Sequence, residues 1–212
     1  MIIRDGDHSL EYLLLRRNDK IAFHGGAWVF AGGRVDDADQ TPAGLSELDV
    51  AKNAAVREAM EETGLSVSAT AMTPFAHWTT PVQLPKRFAT WFFVAPVSGN
   101  PEVRIDNSEI VDFQWLSADA ALAMHHADEL TLPGPTYVTL TRFRELASST
   151  DMRSHLENHE IQTFVPRIAK IDGGRCAIYS EDAGYETVDM DAPGARHRLL
   201  MRGQNFDYQR DF

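Results

Sequence analysis

Residues 57–65 read REAMEETGL and place the three glutamates Glu58, Glu61 and Glu62 just ahead of a glycine. The stretch 50–63 contains neither Gly nor Pro, so it predicts a helix, which the following glycine ends in a left-handed conformation. Side chains four positions apart share one helix face, and those three apart are neighbours. The sequence therefore predicts three carboxylates that project together near the end of one helix.

Carboxylates in this arrangement repel one another, and they lie at the helix end whose dipole disfavours anions. A hard divalent cation bound through oxygen atoms would relieve both effects. Glutamates on a solvated helix end are also common in acidic proteins, so a plain surface role stays open at this point. The remainder of the chain has to distinguish a metal site from a solvated helix end.

The composition is acidic and limits the classes of partner. The 212 residues carry 20 Lys and Arg against 31 Asp and Glu, a net charge of −11. The length predicts one domain with additions. Because nucleic acids and anionic lipids attract basic surfaces, this charge argues against a nucleic-acid or membrane partner. An acidic protein that handles phosphates must bring a cation to its site.

The first residues of the chain do not resemble a signal peptide. The single cysteine, Cys176, excludes a disulfide within the chain, and residues 1–10 lack the basic and apolar regions of a signal peptide. The longest apolar clusters are too short to cross a bilayer. We therefore expect a cytoplasmic protein.

Apolar runs and turn residues predict an alternation of strands and helices. Strands are predicted at 10–17, 25–34, twice within 75–97, at 109–117, and in RCAIYSED and RHRLLMRG near the end, with further helices at 118–130, 135–149 and 151–162. An irregular acidic loop is predicted at 35–49, with Asp49 as the N-cap of the first helix. This order predicts an α/β sandwich around a mixed sheet.

The stretch REAMEETGL resembles the second half of the Nudix box, Arg-Glu-(apolar)-x-Glu-Glu-x-Gly-(apolar), and the chain resembles the Nudix hydrolase family. Gly33 is similar to the glycine that opens the box, but it lies 57 − 33 = 24 residues before Arg57, ten more than in the compact box. Asp49 stands at the usual offset of the box acid before the arginine. The resemblance implies a Nudix-type α/β/α sandwich with extra C-terminal helices and a box split by a loop inserted at about 35–48.

Three further stretches, 13–39, 77–93 and 130–148, resemble the branch of the family whose mammalian peroxisomal member splits coenzyme A and acyl-CoA. That branch also lengthens the loop after the Gly-Gly pair. In the second stretch, Ala89 replaces the usual aspartate.

The resemblance implies a site for Mg²⁺ or Mn²⁺. The matching ligands are Glu58, Glu61, Glu62 and the backbone carbonyl of Gly32. Arg57 is similar to the box arginine, which orients carboxylates by bidentate pairing, and Asp49 stands where its partner is expected. The general base is Glu61 or Glu62, a choice that the sequence leaves open.

Residues outside the box are candidates for further roles. Glu109 is similar to a late-strand glutamate that binds a second metal or acts as general base, although a surface role is equally compatible with its sequence. Phosphate contacts are predicted for Arg16, Arg17, Lys86 and Arg87, and base stacking for Trp78. For each of the four cations, ordinary surface charge is the alternative.

The resemblance implies a hydrolase that cleaves a nucleoside diphosphate linked to another group. Coenzyme A or acyl-CoA is the favoured substrate, and the products would be 3′,5′-ADP and (acyl-)4′-phosphopantetheine. Two alternatives stay open: an ADP-ribose or nucleotide-sugar pyrophosphatase, and a non-catalytic module that senses a nucleotide. The presence of all three box glutamates argues against the second alternative.

The predicted Nudix domain covers 1–165 and includes the C-terminal helices. An extension, 166–212, is predicted to pack on the same domain. Three roles stay open for this extension: it completes the fold, covers the site or forms a homodimer interface.

Overall fold

A computed structural model of the chain describes residues 1–22, 24–42, 44–81, 83 and 87–212. These described residues form a mixed seven-stranded sheet, four α-helices and a second sheet of four strands. The strands are β1 Ile2–Asp5, β2 Leu10–Arg17, β3 Trp28–Val29, β4 Thr73–Thr79, β5 Ala89–Pro96, β6 Ile110–Ser117, β7 Gln162–Phe164, β8 Arg167–Ile171, β9 Gly174–Ile178, β10 His197–Arg202 and β11 Asn205–Arg210. The helices are α1 Glu47–Thr63, α2 Ala118–His126, α3 Gly134–Phe143 and α4 Ser149–Glu157.

The large sheet has the strand order β3-β2-β1-β5-β4-β7, and β6 pairs along β2. The β1–β5 and β4–β7 pairs are parallel, whereas β1–β2, β2–β3, β2–β6 and β4–β5 are antiparallel. The predicted mixed sheet is therefore confirmed. The strand predicted at 10–17 has the correct bounds. Of the strand predicted at 25–34, only the two residues of β3 are in a strand.

Strand β2 is buried on both faces, which makes it the centre of the sandwich. Leu13 and Leu15 belong to the apolar cluster that also contains Ala59 of α1. Tyr12 and Leu14 belong to the other cluster, to which α2 and α3 contribute. Because strand side chains alternate between faces, the continuous apolar run of β2 supplies both layers. This packing confirms the predicted α/β/α arrangement.

Helix α1 carries the glutamates and has capped ends. It begins earlier than predicted, at Glu47, and its N-cap is Ser46, whose hydroxyl accepts a hydrogen bond from the N–H of Asp49 at 3.2 Å. The prediction that Asp49 is the N-cap was therefore wrong. Gly64 ends the helix with φ 69°, and its N–H donates to the carbonyl of Met60. The predicted left-handed end is confirmed.

The second sheet has the order β11-β10-β9-β8, and all of its pairs are antiparallel. Only β9 and β10 match sequence predictions. Tyr179 and Leu199 share one apolar cluster with Trp78 and Phe164 of the large sheet. The division of the chain at residue 165 stays a prediction. Among the described residues, no helix has the length and apolar character needed to cross a bilayer.

A buried ion pair fixes the second sheet. Arg198 donates from Nε to Oδ2 of Asp182 at 2.7 Å and from Nη2 to Oδ1 at 2.6 Å. The N–H groups of His197 and Gly184 donate to the same carboxylate. Burial alone would raise the pKa of Asp182, but these hydrogen bonds together lower it. The pair therefore stabilises the fold above the carboxyl's unfolded pKa, and this contribution is lost as the pH falls through the folded value.

Removing one partner of this pair tests its importance. We expect Asp182→Asn to lower the free energy of unfolding by about 3 kcal/mol, because the buried charge of Arg198 loses its counter-ion. Glu186→Gln is the control, since Glu186 pairs with Arg167 but its side chain is 81% exposed. The control should change stability by less than about 1 kcal/mol in urea denaturation. Equal effects of the two substitutions would contradict the assignment.

Candidate active site

The glycine pair after β3 lies directly against the glutamate-bearing end of α1. The N–H of Gly32 donates to Oε2 of Glu62 at 2.9 Å, and Glu62 is only 6% exposed. A Cβ atom at Gly33 would lie 2.2 Å from Oε1 of Glu58, so a larger residue at this position would displace the Glu58 carboxylate. Residues that are 25 to 30 positions apart in the sequence therefore form one small acidic site.

Arg57 connects the surrounding groups through its guanidinium. Nε and Nη2 donate to the two carboxylate oxygens of Asp39 at 3.1 and 3.0 Å. Nη1 donates to Glu58 and Glu61, both at 2.9 Å. Nη2 also donates to the carbonyl of Arg34 at 2.8 Å. One side chain thus holds the loop after the glycine pair and two of the three box glutamates.

The partner of Arg57 is Asp39 and not Asp49. Asp39 lies 39 − 33 = 6 positions after Gly33, the spacing of the box acid counted from its glycine. It is 5% exposed, and hydrogen bonding by Arg57 is the largest cause that lowers its pKa. Asp49 instead accepts a hydrogen bond from Ser46 in the first turn of α1. The inserted residues therefore follow the box acid, and counting backwards from the arginine gave the wrong residue.

The acidic site holds more negative charge than it can easily accommodate. Burial raises the pKa of Glu62 to about 7, against the hydrogen bond from Gly32, and the charge of Glu58 raises it further. Burial also raises the pKa of Glu58, although Arg57 opposes that shift. Two carboxylates whose ionised forms are disfavoured at the same place favour a bound positive charge.

The chemistry of the donor set fits a hard divalent cation, because all three side chains offer carboxylate oxygen atoms. Among the residues that the structure describes, no three His, Cys, Asp or Glu side chains are gathered into a ready metal cage. The positive charge nearest to Glu58 and Glu61 is the guanidinium of Arg57, which bridges them. The predicted ligands Glu58, Glu61, Glu62 and the Gly32 carbonyl stay a prediction.

Glu109 and Arg17 lie beside the acidic site. Glu109 immediately precedes β6, and Arg17 ends β2, which pairs with β6. Nη2 of Arg17 lies 3.8 Å from Oε2 of Glu109, whose side chain is 65% exposed. The charge of Glu109 raises the pKa of both Glu58 and Glu62, and that of Arg17 lowers the pKa of Glu62. The structure therefore brings these two predicted residues to the box.

The other predicted phosphate contacts are less closely tied to the site. Arg16 pairs with Asp19 at 2.9 Å on the protein surface. Arg87 is exposed, and Lys86 lies outside the described residues. Sequence reasoning missed Arg34, whose carbonyl binds Arg57 and whose guanidinium lies 5.6 Å from the ring of Phe88.

Trp78 is a core residue, so the prediction that it stacks on a base needs correction. It is 5% exposed and stacks face to face on Phe164, with ring centroids 3.9 Å apart and an interplanar angle of 3°. Tyr179 and Phe92 pack around it. Tyr179, the residue directly after β9 of the second sheet, helps to cover the indole.

The split box with its Arg57–Asp39 pair agrees with the comparison against protein families. The family model described as the NUDIX domain matches residues 1–133. The chain belongs to the Nudix family of hydrolases.

Two curated relatives align with part of the chain. It is 26% identical over 144 residues to the acyl-coenzyme A diphosphatase NUDT19 of Xenopus laevis, covering 65% of this chain and 38% of that protein. It is 25% identical over 169 residues to the putative nudix hydrolase 7 of Caenorhabditis elegans, covering 63% of this chain and 56% of that protein. The chain therefore spans less than two thirds of the length of these relatives.

Solved structures show the same fold at low identity. A NUDIX hydrolase from Alicyclobacillus acidocaldarius superposes with a TM-score of 0.64 and 22% identity, covering 76% of this chain and 94% of that one. The NUDIX domain of Shewanella oneidensis NrtR, solved with ADP ribose, gives a TM-score of 0.51 and 16% identity, covering 68% and 82%. These similarities confirm the predicted fold class.

The assignment of the box acid is tested by two matched substitutions. We expect Asp39→Asn to lower the free energy of unfolding by about 1–3 kcal/mol, because Arg57 loses a buried charged partner. Asp49→Asn should change it by less than about 1 kcal/mol, since that carboxylate only supports an exposed helix cap. Chemical denaturation of both variants measures the difference. A larger loss for Asp49→Asn than for Asp39→Asn would contradict the assignment.

Proposed function

We propose that this chain is a metal-dependent hydrolase of a diphosphate bond in coenzyme A or acyl-CoA. The products would be 3′,5′-ADP and 4′-phosphopantetheine or its acyl derivative. The observation that carries the reaction class is the contact of Gly32 and Gly33 with Glu62 and Glu58, next to the Arg57–Asp39 pair. The substrate is supported by the similarity to an acyl-CoA diphosphatase and by the box lengthened after Asp39.

Mg²⁺ or Mn²⁺ would be held by Glu58, Glu61, Glu62 and the carbonyl of Gly32. Such a cation supplies positive charge that neutralises the diphosphate and makes a water molecule more acidic. This contribution explains how a protein with a net charge of −11 accommodates a polyanion.

Residues of the chain itself would take the proton of the attacking water and bind the phosphate oxygens. Glu62 is buried, and one of its oxygen atoms accepts from Gly32, so it is poorly placed to exchange a proton with water. Glu61 and Glu109 are both largely exposed and are therefore the carboxylates that would take the proton of the attacking water. Arg17, next to Glu109, provides a cation for the phosphate oxygens. The water oxygen joins one phosphorus while the bridging P–O bond breaks.

A panel of substrates tests both the proposed reaction class and the proposed substrate. We expect the chain, with Mg²⁺ or Mn²⁺, to cleave coenzyme A and acyl-CoA faster than ADP-ribose, NADH or diadenosine polyphosphates, as measured by chromatography of the products. Glu62→Gln should lower kcat at least about 100-fold while the fold is retained, because the site loses a cation ligand.

Glu47→Gln is the matched control on the same helix, since Glu47 lies in the first turn of α1 and accepts a hydrogen bond from Trp91. Its kcat should stay near that of the wild type. Cleavage of ADP-ribose in preference to coenzyme A would refute coenzyme A as the substrate, but it would still agree with the proposed hydrolysis of a diphosphate bond. Absence of cleavage with every substrate and metal would refute both.

A further inference from the structure

A cavity of about 850 Å³ opens between the β2–β3 connection, the start of α3 and the second sheet. This volume is typical of small-molecule sites. Its apolar walls include Leu132, Pro133, Ile168, Met201 and Phe206. Although the chain carries a net charge of −11, none of the described residues that line the cavity is Asp or Glu. The described part of the lining therefore combines apolar walls with an absence of carboxylates.

Two cations line this cavity from adjacent strands. Lys170 of β8 and Arg175 of β9 are direct cross-strand partners. Like charges at this spacing repel and weaken a sheet, so the pair is unfavourable by itself. Within the part of the chain that the structure describes, neither cation has a carboxylate partner. An anionic group bound in the cavity would relieve the repulsion.

The cavity is connected to the candidate active site through Arg17. Its wall residue Ala27 accepts a hydrogen bond from the N–H of Arg17 at 3.0 Å, and Gly26 donates to the carbonyl of Arg17. The side chain of Arg17 then reaches Glu109 beside the box. In the cavity wall, burial lowers the pKa of His24, and the charges of Arg17 and Arg175 lower it further. Arg17, beside the box, and Arg175, in the cavity, therefore lie on either side of His24.

We propose that the cavity binds the phosphorylated nucleoside end of the substrate. Lys170 and Arg175 contact a phosphate monoester, and the apolar walls cover the base. The inference rests on the function proposed above, because coenzyme A carries such a phosphate on its adenosine. An acyl chain would use the apolar walls but not the two cations, and this difference favours the nucleoside end as the occupant.

The test compares coenzyme A with 3′-dephospho-CoA. The wild type should hydrolyse coenzyme A with a kcat/KM about tenfold or more above that of the dephosphorylated compound, because charge-assisted contacts to the phosphate are lost. Lys170→Gln combined with Arg175→Gln should abolish this preference, mainly by raising the KM for coenzyme A. The melting temperature should not fall, since the substitutions remove a cross-strand repulsion.

The matched control combines Arg153→Gln with Arg210→Gln. It also removes two positive charges, but from residues that do not line the cavity. This control should keep the preference for coenzyme A. Equal cleavage of both compounds by the wild type, or an unchanged preference in the Lys170/Arg175 variant, would overturn the inference while the proposed reaction stands.

If neither compound is cleaved, the proposed function fails and binding decides the inference separately. Calorimetric titration with 3′,5′-ADP should then show binding to the wild type that is weakened about tenfold in the Lys170/Arg175 variant and kept in the control. Equal binding to the wild type and the Lys170/Arg175 variant, or no binding to the wild type, would overturn the inference.

Discussion

The site depends on the guanidinium of Arg57. Its fork geometry lets it bind both oxygen atoms of the buried Asp39 and still donate to Glu58 and Glu61. Without a cation at this position, the loop after the glycine pair would bring another carboxylate close to a helix end that already carries three. The same interaction joins the chain on either side of the insertion, so the added residues leave the box intact.

The distribution of charge follows from this arrangement. Carboxylates collect at the end of α1, where burial and mutual repulsion raise the pKa of Glu58 and Glu62. The cavity beside the second sheet carries the opposite sign, with Lys170 and Arg175 on neighbouring strands. A metal at the acidic site and a phosphate in the cavity, both of which we propose, would together suit a ligand with several phosphate groups.

Short sequence patterns predicted the structural features that interactions between neighbouring residues determine. Gly64 supplied the left-handed helix end, and the apolar run of β2 supplied a strand buried on both faces. Asp39 was missed because a box acid is normally located by its offset from the arginine, and the insertion changed that offset. The core position of Trp78 was missed because it depends on long-range contacts with β7 and with Tyr179, which no local pattern encodes.

The most direct test of the central claim, that the box carboxylates hold a divalent cation, is a titration with Mn²⁺ followed by electron paramagnetic resonance. The wild type should bind Mn²⁺, and Glu58→Gln combined with Glu62→Gln should weaken that binding at least about tenfold, because two anionic oxygen ligands become neutral amides. Equal Mn²⁺ affinity in the wild type and in this variant would contradict the account.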